Sequence, residues 1–202
     1  MDIDLTVVLG LVPYLVIKKY YVWQFFTYMF LHGSIFHLLF NMLMLWMFGS
    51  ELCKLWGKRF FIKYYMITGI GGGMCVTALS LVFPSQFATP TIGASGAIFG
   101  LFLAYGLIFK DKYLYVFGLI PVKARPLVIV MGSIELLSLF SEKNSSISHL
   151  AHLGGLFTGL AYLKIKEYER KILMKRYNGQ KNDNIIPTDF GANRDRDKNL
   201  WN

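Results

Sequence analysis

Charge and cysteine are both scarce in this chain, and each scarcity removes a class of protein. Only 16% of the 202 residues are Asp, Glu, Lys or Arg, against 54% apolar residues. A compact soluble domain carries such totals only if the apolar residues are spread along the chain, and here they come in blocks. The two cysteines, Cys53 beside a basic stretch and Cys75 inside an apolar block, predict no disulfide. The chain lacks HExxH, the helix motif of zinc proteases. The opening segment Thr6 to Ile17 is not expected to be a signal peptide: it is apolar for only twelve residues, contains Pro13 and ends at Lys18-Lys19. It has neither the basic start nor the small-residue cleavage site, and is too short to span a bilayer, so it is expected to be interfacial or re-entrant.

What is present is a series of uncharged stretches about as long as the ~20 residues a helix needs to cross a bilayer. Charge is nearly absent from Tyr64 to Phe83, Ile92 to Phe109 and Ser145 to Leu163. His37 to Cys53 is interrupted only by His37, Asn41 and Glu51, and the shorter Pro126 to Phe140 carries Glu135. The fold class predicted is all-α, a polytopic transmembrane bundle of five spans over residues 37–164.

The formal charge of +9 does not form one stripe, which argues against a nucleic-acid partner. The basic residues sit between the spans. Lys54, Lys58, Arg59 and Lys63 follow the first, Lys110, Lys112, Lys123 and Arg125 follow the third, and ten more lie from Lys164 onward. By the positive-inside rule these regions are expected in the cytoplasm of a multi-pass cell-membrane protein, with residues 1–36, Pro84 to Thr91 and Glu142 to Ser145 on the other side. Segment 1–36 is read as an outer interfacial loop. The tail 165–202 is read as cytoplasmic, first helical through Tyr177 as a continuation of the last span, then disordered from about Asn178. No second soluble domain is expected.

In this orientation the spans that begin near His37, Gly93 and Ser146 run inward from the outer face. At ~1.5 Å per residue, His37, Asn41, Ser95, His149 and His152 then lie within roughly 10 Å of the outer surface. Polar groups at that depth are costly unless they share a wet or interior pocket, so their coincidence at one level predicts a site. Gly96 and Gly100 form one small-residue stripe after Ser95, and Gly155 and Gly159 form another after His152. If the stripes face each other, the Ser95 hydroxyl and the His152 imidazole come within hydrogen-bonding reach, the arrangement that activates a serine. A serine beside a glycine is by itself a packing residue more often than a nucleophile. The histidines at matching depth are what favour chemistry.

The string His32-x4-His37-x3-Asn41, then Gly93-Ala94-Ser95-Gly96, then Ala151-His152-x2-Gly155-x3-Gly159 resembles the signature of the rhomboid intramembrane serine proteases in order and spacing, over roughly residues 20–165. Trp23-Gln24 and Trp56-Gly57-Lys58-Arg59-Phe60 agree with it. The resemblance implies a Ser95 nucleophile, His152 as general base and acid, and an oxyanion held by the Ser95 N–H with the side chains of His37 and Asn41. It implies a structural role for His32, an aromatic ring at Phe99 against His152, and supporting roles for Gly93, Gly96, His149 and Gly155. The implied substrates are transmembrane segments of other proteins, cut near the outer face within the lipid bilayer and without a cofactor. The family core has six spans, so the first is expected to be missing here, and Cys53 stands where the family commonly has a glutamate, which implies reduced stability.

Three alternatives bear on these residues. Glu135, at a depth close to His152, either orients that imidazole as the acid of a triad or is an interior carboxyl satisfied by other polar neighbours. A rhomboid-like protein that binds membrane clients without cutting them would have lost the serine or histidine, and both are present. A metal transporter or metalloprotease built on His32, His37, His149 and His152 would need an acidic ligand at metal-binding spacing, which the sequence does not offer, so no metal is expected.

Overall fold

The computed structural model describes residues 4–82, 87–116, 119–141 and 146–179. The expected outer loop Glu142 to Ser145 and the tail beyond Gly179 lie outside them. In chain order come α1 (Leu5–Leu9), α2 (Pro13–Lys19), α3 (Gln24–Thr27) with a 3-10 turn at Tyr28–Phe30, and α4 (Ile35–Met44). A π-helical stretch, Leu45–Gly49, joins α4 to α5 (Ser50–Trp56), and α6 (Lys58–Ser80), α7 (Ser95–Ile108), α8 (Ala124–Ser141) and α9 (Ser146–Gly179) follow. The helical cores of the five apolar blocks lie in α4 to α9 together with the π-helical stretch, while block ends such as residues 92–94 and 109 lie outside the helices.

Helix ends follow local chemistry. The Ser34 side chain caps α4 by accepting the His37 N–H at 3.1 Å, satisfying one of the orphan donors of a helix start. Gly57, at φ +78°, breaks the continuous Ile35–Trp56 rod and lets α6 begin at once. That 22-residue rod, mean hydropathy 1.4, is the one helix among the described residues long and apolar enough to cross a membrane by length and composition; α7 is a shorter apolar helix.

Helices α6, α7 and α9 form the centre, α9 lying along both of the others, with α8 against α7 and α9. Glycines on α6 permit this closeness. A Cβ at Gly71 would collide with Thr158, and one at Gly72 would lie 2.8 Å from the Ala151 carbonyl. Tyrosine hydroxyls tie α6 to its neighbours, Tyr64 donating to the Gly100 carbonyl of α7 at 2.8 Å and Tyr28 of the 3-10 turn to the Gly69 carbonyl at 2.7 Å.

The segment expected to be interfacial or re-entrant is formed by two short helices, α1 and α2. Between them Leu11 pairs in extended form with Thr91, the loop that leads into α7. The fully buried Gln24 amide holds this turn, accepting from the Val12 N–H at 3.0 Å and donating to the Val7 carbonyl at 2.8 Å, while Trp23 and Thr27 bond the Val8 and Leu9 carbonyls. The basic connection after α7 contains an antiparallel hairpin, β1 (Tyr113–Val116) on β2 (Ile120–Lys123), in register Tyr113 with Lys123.

Candidate active site

Ser95 is the first residue of α7, delivered there by a sharp turn at Gly93, whose φ of +116° suits glycine. The Gly93 N–H bonds the Tyr28 carbonyl at 2.9 Å, which ties the turn to the N-terminal segment. A residue at this helical position has no intrahelical acceptor for its N–H, and the helix dipole adds partial positive charge, so the Ser95 amide is suited to a developing anion.

His152 lies two turns into α9. Its Nε2 is 2.7 Å from the Ser95 Oγ. The helices reach this spacing because a glycine stands on each at the crossing: a Cβ on Gly155 would overlap the Gly96 carbonyl, and one on Gly96 would sit 3.1 Å from the Ala151 carbonyl. The facing of both glycine stripes holds only for this first pair. Gly100 and Gly159 turn to α6 instead, where added Cβ atoms would strike Thr68 and Tyr64. A third helix fills the wedge that opens beyond the crossing.

Phe99, one turn after Ser95, stacks on the His152 ring with centroids 4.2 Å apart and planes 12° from parallel. On the other edge of that ring is Glu135 of α8, which is 7% exposed. Its Oε2 lies 2.6 Å from the Nδ1 of His149 and 3.0 Å from the Nδ1 of His152. The second contact is close without being a well-aligned hydrogen bond, since the His152 Nδ1 is otherwise buried and unpartnered. Glu135 thus supplies the acidic neighbour that the spacing of the histidines along the chain did not reveal.

Glu135, His149 and His152 offer one ligand atom each within 4.8 Å of one another, a donor set that could hold a metal ion. The separations of 2.6 and 3.0 Å, the first a hydrogen bond and the second a close polar contact, are shorter than the roughly 3.4 Å between donors around a tetrahedral zinc.

His37 lies on the opposite side of Ser95. A Cβ at Gly93 would be 2.9 Å from the His37 Cε1 and Nε2 and 3.8 Å from the Ser95 Oγ, so the imidazole edge covers the Gly93 turn. The Gly33 N–H donates to the His37 Nδ1 at 3.4 Å, which leaves the Nε2 edge to carry the ring proton toward Gly93. Asn41 is buried, and its amide donates to the His37 carbonyl at 2.8 Å, one of its two hydrogens being used within its own helix. His32 packs edge-on against His37, centroids 5.0 Å apart. Burial, with His37 beside it, holds the His32 pKa below the ordinary histidine range, so it is a neutral partner in this wall.

Glu51 belongs to the far end of the bundle. It takes a 2.6 Å salt bridge from Lys112 and a 3.1 Å hydrogen bond from the Tyr105 hydroxyl, two residues before Cys53. A surface cavity between Trp46, Glu51, Tyr105 and the hairpin contains none of the site residues.

Comparison with known proteins gives a family model described as Rhomboid domain, matching residues 19–168. YdcA of Bacillus subtilis is 34% identical over 155 residues, covering 74% of this chain and 70% of the relative. Rhomboid protein 1, mitochondrial, of Saccharomyces cerevisiae is 31% identical over 138 residues, covering 66% of this chain and 38% of the relative. The rhomboid protease GlpG of Salmonella paratyphi A is 28% identical over 169 residues, 78% of this chain and 54% of the relative. The chain therefore spans from about a third to about two thirds of the length of these relatives.

Proposed function

We propose, from the premise that this chain belongs to the rhomboid family, that it is an intramembrane serine endopeptidase cutting transmembrane segments of other membrane proteins with a Ser95–His152 pair. The observation that carries the reading is the 2.7 Å approach of the Ser95 Oγ to the His152 Nε2. A nucleophile and a base at this distance, joined at the start of a helix, are the minimum for acyl transfer.

The proton leaves Ser95 for the His152 Nε2 as Oγ attacks the peptide carbonyl, and it returns to the departing amine from the same nitrogen. The oxyanion is received by the Ser95 N–H and by the Nε2–H of His37, with Asn41 beside it; donors preset at the position where charge develops lower the barrier most in a dry site. Water entering from the outer side then hydrolyses the acyl-enzyme with His152 again as base. Substrate helices with glycine, proline or polar residues near the cut would be favoured, because a peptide bond must leave its helix before Ser95 can reach it.

A polytopic membrane setting is supported by an outward apolar surface. Ile35, Phe36, Leu39, Phe40, Leu43 and Trp46 on the first rod are exposed, as are Ile129, Val130, Ile134 and Leu137 on α8, whereas its one carboxylate, Glu135, faces inward. Apolar-out and polar-in is the pattern a lipid solvent imposes. In this reading the basic stretches face the cytoplasm and Ser95 opens toward the other side.

The test is co-expression with a tagged single-pass substrate, together with labelling by a fluorophosphonate. Cleavage and labelling that vanish in Ser95→Ala and fall steeply in His152→Ala support the assignment. Cleavage that persists in Ser95→Ala would remove it, and a folded wild-type chain that neither cuts nor labels would favour client binding without catalysis.

A further inference from the structure

Two contacts fix an imidazole that works as a base: one must set the plane of the ring, the other its rotation within that plane and the nitrogen that holds the proton. Phe99 sets the plane by stacking at 4.2 Å, but a phenyl ring has no acceptor and cannot choose between the two nitrogens. That choice matters, because only the tautomer with its proton on Nδ1 leaves a lone pair on Nε2 for the Ser95 hydroxyl.

We propose that Glu135 makes this choice: it is a positioning residue whose carboxylate holds the His152 Nδ1–H, and His149 anchors the carboxylate for that task. The inference rests on the reading of Ser95 and His152 as nucleophile and base. Glu135 is buried on a helix whose neighbouring residues Ile134, Leu136 and Leu137 are exposed and apolar, so α8 turns its single acidic side chain into the bundle and onto α9. A buried carboxylate is costly unless donors surround it, and the nearest are the two Nδ1 atoms one helical turn apart on α9. His149, at 2.6 Å, is the tighter partner and pins the carboxylate. His152, at 3.0 Å and imperfectly aligned, keeps freedom to swing into line when substrate loads the site, as catalytic hydrogen bonds in empty sites commonly do.

During attack the Ser95 proton passes to the His152 Nε2 while the Nδ1–H stays on the ring. Glu135 remains ionised throughout and stabilises the imidazolium by its charge. No proton leaves the Ser95–His152 pair by this route.

The experiment compares wild type, Glu135→Gln, Glu135→Asp and His149→Gln in full-length protein reconstituted with a tagged transmembrane substrate. It measures kcat and KM separately, the fluorophosphonate labelling rate, and thermal unfolding. Glu135→Gln is expected to lower kcat and the labelling rate by about 10²-fold, the scale of a misdirected general base, with KM changed less than about twofold. Glu135→Asp, which keeps the charge, is expected to recover part of the loss. His149→Gln is expected to lose less than Glu135→Gln because the carboxylate still reaches His152. In parallel, ¹⁵N NMR of histidine-labelled Ser95→Ala protein is expected to give a His152 signal protonated at Nδ1, a preference lost when Glu135→Gln is added. A Glu135→Gln chain that labels at the wild-type rate overturns the proposal. So does a rise in KM at constant kcat, or a loss that tracks thermal stability and is not relieved by Glu135→Asp. If wild type itself is unlabelled while the Glu135-dependent tautomer is seen, the protease reading fails and the positioning contact stands.

Discussion

Replacing Gly155 with alanine separates the geometry of the Ser95–His152 pair from the stability of the bundle. An alanine Cβ would overlap the Gly96 carbonyl on the facing helix, whereas a carbon normally rests roughly 3.3 Å from such an oxygen. Helices α7 and α9 must therefore part by about an ångström or more at the crossing. Ser95 is one residue before Gly96 and His152 three before Gly155, so the shift passes almost undiminished to the Ser95–His152 pair. Added to 2.7 Å, it carries the Oγ to Nε2 distance past the ~3.2 Å limit of a useful hydrogen bond. A misplacement of this size costs about 10²-fold in rate. Overpacking costs about 1–3 kcal/mol, partly offset by the roughly 1 kcal/mol that alanine gains over glycine within a helix. The expected result is a protein that melts a few degrees lower yet labels with fluorophosphonate about a hundredfold more slowly. Gly132→Ala is the control, because its Cβ would meet nothing nearer than the Leu156 Cδ1 at 3.7 Å, and it is expected to keep wild-type labelling. Full-rate labelling by Gly155→Ala with unchanged melting would refute the claim that this glycine pair sets the distance.

Phe99→Leu retains an apolar neighbour but removes the stack on His152, a loss of about 0.5–1.5 kcal/mol, so kcat is expected to fall up to roughly tenfold while Phe99→Tyr stays near wild type in the same cleavage assay. Glu51→Gln removes the Lys112 bridge at the far end of the bundle, and because both side chains are partly solvated the unfolding free energy is expected to drop by less than about 1 kcal/mol with labelling unchanged. The hydrogen bond to Glu51 raises the Lys112 pKa, so this contribution is present throughout neutral pH and is lost only as pH climbs through the raised value, above the ordinary lysine range. Melting curves of wild type and Glu51→Gln should therefore differ at pH 7 and converge at strongly alkaline pH.

The helices were legible because long apolar blocks are a strong one-dimensional signal, and each block between His37 and Leu163 has its core in a helical segment from α4 to α9. The helix–turn–helix shape of the N-terminal segment was not legible because it is set by side-chain to backbone bonds from Gln24, Trp23 and Thr27 to residues 12 to 18 positions away in the chain, which no local pattern shows. The hairpin at Tyr113–Lys123 was hidden by the basic residues around it, Lys110, Lys112 and Arg125: a connection bounded by such charges reads as a solvated loop, and a four-residue strand has too few positions to display alternation. The glycine stripes were visible, but their partners were not. Spacing along a helix tells which residues share a face, and says nothing of which neighbour occupies it, so α6 took Gly100 and Gly159 unannounced.

The same distinction explains how much of the site could be read. Counting residues inward from each helix start gives depth, and depth sufficed to group Ser95, His37, Asn41, His149, His152 and Glu135 at one level. Lateral order was carried only by the motifs, and those name Ser95 and His152 without naming what stands behind the imidazole. His149 and His152 are three apart and share a face of α9, so a carboxylate able to reach one Nδ1 is close to the other. A buried carboxylate has acceptor sites for both, and a single donor would leave it undersatisfied. Hence His149, read from the sequence only as a supporting residue, is in the proposed arrangement the partner that lets Glu135 stay ionised inside the bundle, so the acid proposed behind His152 depends on its neighbour one turn away on α9.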